Sequence, residues 1–147
     1  MVWKPNVTVA AVVERDNHFL MVEEETSAGL MINQPAGHLE DGESLVDAVI
    51  RETLEETAWR FLPSELIGVY RWQHPHKGIT YLRFAFTGDL LQRENDRPLD
   101  DGIIRTLWLS RDELAQSSGR HRSPQVLRCV EDYLNGIRLP LTALHDL

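Results

Sequence analysis

Between Gly37 and Trp59 the chain gathers acidic side chains around one basic residue, Arg51. Glu52, Glu55 and Glu56 stand there at i, i+3 and i+4, so a helix brings three carboxylates onto one face. Like charges at that spacing destabilise each other unless a cation sits between them. Oxygen-only donors suit a hard divalent ion, Mg²⁺ or Mn²⁺, that keeps some of its water and bridges carboxylate to phosphate. Attack of water on a phosphorus shielded by negative oxygens needs such an ion, because catalysis there is mostly positioning and charge neutralisation. The bland reading of the same residues is a solvated helix whose glutamates aid solubility.

Composition sets limits around this segment. The 147 residues fit one domain, 1–147, with a core that needs no staples. Fifteen Lys and Arg against 23 Asp and Glu leave a formal charge of -8, which opposes nonspecific attraction to nucleic acid or acidic lipid. A phosphate-bearing small molecule would therefore need local positive charge. Cys129 is the only cysteine, which removes a disulfide framework and a cysteine-rich zinc site and leaves core packing as its role. Val7 to Val13 is apolar but too short to span a membrane, and no signal-peptide pattern precedes it, so a cytoplasmic protein is expected. Either a monomer or a homodimer is compatible with these numbers.

The elements that must carry the carboxylates follow from pattern. Val7–Val13 is β-branched and bounded by Pro5 and Asp16-Asn17, and His18 to Glu23 alternates behind it, which predicts a hairpin of two strands. Leu30 to Asn33 is a short strand closed by Pro35, and a loop is expected from Ala36 to Gly42. Ser44 can cap the acidic helix, with Asp47 placed to complete a capping box. Val46, Val49, Ile50, Thr53 and Leu54 form its packing stripe. Ala48, one turn before Glu52, is expected on the acidic face, where its small side chain would leave room for an ion. Strands are predicted over Leu66–Trp72, Thr80–Leu90 and Ile103–Leu109, a short helix behind Ser110 with Glu113 as capping-box partner, and a last helix from Ser123-Pro124 to Asn135-Gly136. The expected class is α/β, an α/β/α sandwich around a mixed sheet.

Gly37, Glu43, Arg51, Glu52, Glu55 and Glu56 together resemble the signature of the Nudix hydrolases, in a loop followed by a helix as that family uses it. The resemblance implies the Nudix fold, a divalent metal and hydrolysis of phosphoanhydride bonds. It makes Glu52, Glu55 and Glu56 metal ligands, adds the carbonyl of Ala36, and leaves the general base open between Glu52 and a residue outside the motif. Arg51, one turn before Glu55, can orient that carboxylate by a charge-assisted hydrogen bond. Glu43 matches the motif but reads equally as a structural ion pair, and Glu40 and Asp41 as solvated loop residues. Two positions depart from the pattern: Ala58 replaces a glycine, which costs about 1 kcal/mol in a left-handed conformation or lengthens the helix, and Trp59 is larger than the usual aliphatic residue.

The likeness extends beyond the signature. Lys4–Ala10, Val22-Glu23-Glu24, Asn33–Glu40, Leu82-Arg83-Phe84 and Arg122-Ser123-Pro124 resemble a bacterial phosphatase branch of the family. That branch implies release of phosphate from thiamine pyrophosphate, from hydroxymethylpyrimidine pyrophosphate and from nucleoside di- and triphosphates. Substrate contacts are sought in Trp72, Lys77 and Arg83, since aromatic faces stack bases and cations meet phosphates. His74 and His76 in the same loop, and Gln34 and His38 beside the metal loop, are weighed with them. Each has a structural alternative: core for Trp72, an ion pair for Arg83, plain surface for the histidines. The resemblance also makes Asp100 and Asp101 candidates for an additional acidic ligand or base, with Asp101 counted among the substrate contacts, against the alternative of an ordinary Asp-Asp-Gly turn. Arg120-His121-Arg122 reads as a solvated loop or a phosphate site. The competing functions are a Nudix enzyme for another nucleoside diphosphate derivative or an RNA 5′ end, and a catalytically silent ligand-binding domain.

Overall fold

The structure, a computed structural model, describes residues 2–147. Its strands are β1 (Asn6–Val12), β2 (Glu14–Arg15), β3 (His18–Thr26), β4 (Gly29–Asn33), β5 (Ala36–His38), β6 (Trp59–Gln73), β7 (Thr80–Arg93), β8 (Ile103–Ser110) and β9 (Leu139–Pro140). Its helices are α1 (Leu45–Thr57), α2 (Arg111–Gln116) and α3 (Gln125–Leu134). A mixed sheet runs β5-β1-β7-β6-β9, with β1 parallel to β7 and antiparallel to β5. A second, antiparallel sheet joins β2, β3, β4 and β8.

The two-sheet arrangement corrects the expected first hairpin. The chain leaves β1 at Val13, and only the two-residue β2 pairs back on β3 across Asp16-Asn17, both at positive φ. β1 is buried on both faces, as its unbroken apolar run requires, and it finds strand partners from later in the chain. Part of the expected 36–42 loop is also ordered: β5 pairs Ala36 with Ala10 and His38 with Thr8. β6 begins at Trp59 rather than beyond Pro63, and a register shift at Pro63/Glu65 accommodates the proline.

Helices cover the mixed sheet from opposite sides. Val9, Ala11, Leu66 and Phe86 pack with Ala48 and Val49 of α1, while Val12, Ile67 and Ala85 pack with Val126, Cys129 and Val130 of α3. This is the α/β/α sandwich that the patterning predicts, with Cys129 fully buried in its core. Both expected caps form on the serine side: Ser44 Oγ accepts from Asp47 N at 3.0 Å, and Ser110 with Glu113 makes the complete reciprocal box. The aliphatic-to-Trp59 departure has a structural partner, since the Arg15 guanidinium lies 5.1 Å from the Trp59 ring and 5.4 Å from Trp108. Ala58 does adopt the left-handed conformation (φ 64°), donates to Leu54 O and ends the helix without lengthening it.

Candidate active site

The packing of α1 sets the carboxylates. Val49 and Thr53 face the sheet, and the buried Thr53 and Thr57 hydroxyls are satisfied by the carbonyls four residues earlier, at 2.7 and 2.6 Å. The buried face extends through Ala48, Glu52 and Glu56, so part of the acidic face is itself enclosed. Ala48 is a correction: it is sealed in the core against the mixed sheet and leaves no space for an ion.

Glu52 lies against β5 so closely that a Cβ on Gly37 would stand 2.1 Å from the Glu52 carboxyl carbon. Only glycine leaves that space. Glu56 is fixed from the same strand, its Oε1 accepting from Ala36 N at 2.9 Å. Across the end of the helix, Asp100 N donates to Glu55 O at 3.0 Å, which brings the 94–102 loop against α1. Carboxylate oxygens of Glu52, Glu55 and Asp100 then fall within 4.8 Å of one another.

Arg51 is the hub of this group, and its main partner differs from the expected one. It donates to Glu43 from Nε at 3.0 Å and from a terminal nitrogen at 2.6 Å, to Glu52 at 2.9 Å, and to Glu55 at only 3.3 Å. It also caps the His38 carbonyl at 3.1 Å. The hydrogen bond from Arg51 holds Glu43 below the usual carboxylate range, which makes Glu43 the structural member of the set.

Electrostatics separates Glu43 from the other acids. Burial pushes Glu52 up to about 7 against the pull of Arg51. Burial pushes Glu56 up to about 9, opposed by the Ala36 N–H and assisted by repulsion from Glu24 and Glu52. Glu55 is raised by burial and by Asp100. Such a set does not ionise fully by itself at neutral pH, and its all-oxygen donors fit a hard divalent cation.

Beside these residues opens a cleft of about 660 Å³ to which Glu52 and Glu56 both contribute. His38, Trp72, His74, Lys77 and Arg83 line it, as the sequence suggests, and so does Ala36. Trp72 is therefore a cleft wall, stacked on Tyr81 at 5.9 Å with a 20° interplanar angle. Gln34 is a correction: it is 1% exposed beneath the cleft, donating to Val126 O at 2.7 Å and accepting from Arg83 at 2.7 Å. Of the Asp100-Asp101 pair, Asp100 joins the acidic cluster and Asp101 does not. The 120–122 triplet divides: Arg120 binds Glu23, whereas Arg122 reaches the cleft beside Glu24.

Glu24, Thr8 and Tyr81 also line the cleft, beyond the residues to which the sequence pattern points. Tyr81 was within reach, because it stands two residues from Arg83 and so shares its face of β7. Glu24 stands at a register shift between β3 and β8, a feature that local pattern does not announce.

Among the described residues no helix is long and apolar enough to cross a membrane. Residues 4–129 match the NUDIX domain. The chain is 41% identical over 144 residues to Phosphatase NudJ of Escherichia coli (strain K12), covering 98% of this chain and 93% of that protein. A solved structure of a NUDIX hydrolase from Nitrosomonas europaea superposes with a TM-score of 0.95 at 50% identity, over 98% of both chains. A MutT NUDIX hydrolase from Burkholderia pseudomallei, 19% identical, shares the fold with a TM-score of 0.75 over 88% of this chain and 98% of its own. The signature residues, the fold around them and these likenesses agree: the chain belongs to the Nudix family and is a Nudix hydrolase, similar to the NudJ phosphatases.

Proposed function

We propose that this hydrolase cleaves phosphoanhydride bonds of small pyrophosphate compounds with Mg²⁺, and that its substrates are those of a NudJ-type phosphatase: thiamine pyrophosphate, hydroxymethylpyrimidine pyrophosphate and nucleoside di- and triphosphates. The observation that carries the reading is the position of Glu52, which belongs both to the Glu52–Glu55–Asp100 cluster and to the wall of the cleft. A substrate in the cleft thus meets the cluster through one side chain.

In this reading Glu52, Glu55 and Glu56 hold the cation, with Asp100 and the Ala36 carbonyl as further oxygen donors. When bound, the cation neutralises phosphoryl oxygens and acidifies water. Arg51 orients Glu52 and is itself braced by Glu43. A carboxylate of the set accepts the proton of the attacking water. The Trp72–Tyr81 pair offers a flat face to a heteroaromatic ring, and Lys77 and Arg122 supply positive charge at the cleft. We read residues 1–147 as one catalytic unit.

The test is phosphate release with Mg²⁺ from a panel of thiamine pyrophosphate, nucleotides, dinucleotides and nucleotide sugars, run with and without inorganic pyrophosphatase. Orthophosphate from the first two groups is expected, independent of the added enzyme. Full Mg²⁺-dependent turnover by Glu56→Gln would remove the metal assignment, and preference for dinucleotides or nucleotide sugars would replace the substrate class.

A further inference from the structure

Arg83 is an unusual charge. It is 4% exposed on β7, on the floor of the cleft, and no carboxylate of the described residues pairs with it. One terminal nitrogen donates to Gln34 Oε1 at 2.7 Å, the other to Asn33 Oδ1 at 2.9 Å, and Nε has no hydrogen-bond partner. Two neutral amides orient the fork without cancelling its charge. Of five N–H donors, two are used on oxygen, and the buried Cys129 thiol lies beside the group. A buried charge without a counter-charge is strongly unfavourable, and it is relieved by an anion that enters the site.

The sheet register says where such an anion would lie. Arg83 on β7 is level with Thr8 on β1, and Thr8 with His38 on β5, and all three line the cleft. Two strand spacings, about 10 Å, separate the Arg83 and His38 backbones. Next to His38 stand Gly37 and Ala36, which touch Glu52 and Glu56. Asn33 and Gln34, which hold the guanidinium, lead through Pro35 directly into Ala36, and Gln34 is pinned to α3 through Val126 O. One short segment therefore fixes the distance between the cation and the carboxylates. Lys77 and Arg122 are exposed by comparison, so solvent and salt screen them.

We propose that Arg83 is the anion anchor of the cleft: its guanidinium binds phosphoryl oxygens at the end of the pyrophosphate remote from the carboxylate cluster, and does so without a divalent cation. The proposal rests on the phosphoanhydride reading and adds to it the residue that fixes the polarity of the substrate. Arg83 is a binding residue, distinct from those that handle the water. Its loss weakens ground and transition states alike, which raises KM and leaves kcat close to its original value.

The experiment titrates inorganic pyrophosphate into the full chain in EDTA by calorimetry, for the wild type, Arg83→Lys and Arg111→Ala. The wild type is expected to bind. Arg83→Lys, which keeps the charge and loses the fork, is expected to bind roughly tenfold to a hundredfold more weakly, and Arg111→Ala, which removes an exposed charge paired with Glu131 outside the cleft, within about threefold of wild type. With Mg²⁺ and the best substrate, KM of Arg83→Lys rises by a similar factor while kcat stays within about threefold. Absence of metal-free binding by the wild type, or equal affinity in wild type and Arg83→Lys, overturns the proposal. Should the variant not fold, the ¹⁵N-edited side-chain spectrum of the wild type decides. The solvent-shielded arginine Nε–H signal must shift with pyrophosphate, and a static signal overturns the anchor. Phosphate release by the wild type with Mg²⁺ is scored separately, so the hydrolase reading can stand while the anchor falls, or the reverse.

Discussion

Glu56→Gln should stabilise the metal-free protein while it abolishes the response to Mg²⁺. In the fold, burial pushes Glu56 up to about 9 from an ordinary 4.5, and only the Ala36 N–H counters it locally. At pH 4 the group is protonated in folded and unfolded chains, so it contributes no difference. As pH rises past 4.5 the unfolded chain gains by ionising and the folded chain does not. Each pH unit then adds about 1.4 kcal/mol in favour of unfolding, which reaches on the order of 3 kcal/mol at pH 7. Glutamine keeps the acceptor for Ala36 N and removes that pH dependence. In EDTA the variant should melt about 10 °C above wild type at pH 7, with the gap closing to nearly zero at pH 4.5. Added Mg²⁺ should raise the wild-type midpoint by binding only the folded state and leave the variant almost unmoved. Scanning calorimetry at five pH values with and without Mg²⁺ reads all of this. A variant that melts at or below wild type across the whole range in EDTA would refute the claim that Glu56 is an enclosed, proton-holding carboxylate.

Gly37→Ala should fold, because the obstructing atom is the free end of a flexible side chain, but it should displace the Glu52 carboxylate and cut Mg²⁺-dependent turnover about a hundredfold in initial-rate assays. Glu23, enclosed with Arg120 and Arg105, is held below the usual carboxylate range first by its hydrogen bond to Arg120. Its contribution is present above the ordinary carboxylate value and lost as pH falls through the lower folded value, so Glu23→Gln should lower the neutral-pH melting point and flatten the acid limb below about pH 4.5. Trp72→Ala should raise KM roughly tenfold for substrates with an aromatic ring and leave affinity for inorganic pyrophosphate unchanged, as measured by steady-state kinetics and calorimetry.

Local pattern was enough for much of the site. The i, i+3, i+4 spacing puts Glu52, Glu55 and Glu56 on one helical face whatever packs beneath it, and both serine caps follow from residues within three positions of each other. Ala48 lies in the core rather than on an open acidic face, because helical period says which residues share a face and not how far the core wraps around it. Nor does β1 close a hairpin with the next strand: it is completed by β7, which follows about 70 residues later. Strand partners at that separation are chosen by burial of both faces, a property that the segment's own residues announce without naming the partner.

The sequence by itself determined that a carboxylate helix needs a cation and that Arg51 can steady it; that only glycine fits at position 37 follows from the approach of Glu52 to β5. Tertiary structure decided the rest: that Asp100 rather than Asp101 joins the cluster, that Glu43 is the chief partner of Arg51, that Gln34 lies beneath the cleft, and that Arg83 is buried beside it without a counter-charge. The physical reason is range. Backbone periodicity fixes neighbours within one element, while neighbours across elements, and the burial that shifts a carboxylate or strands a guanidinium, depend on register and packing between segments far apart in the chain.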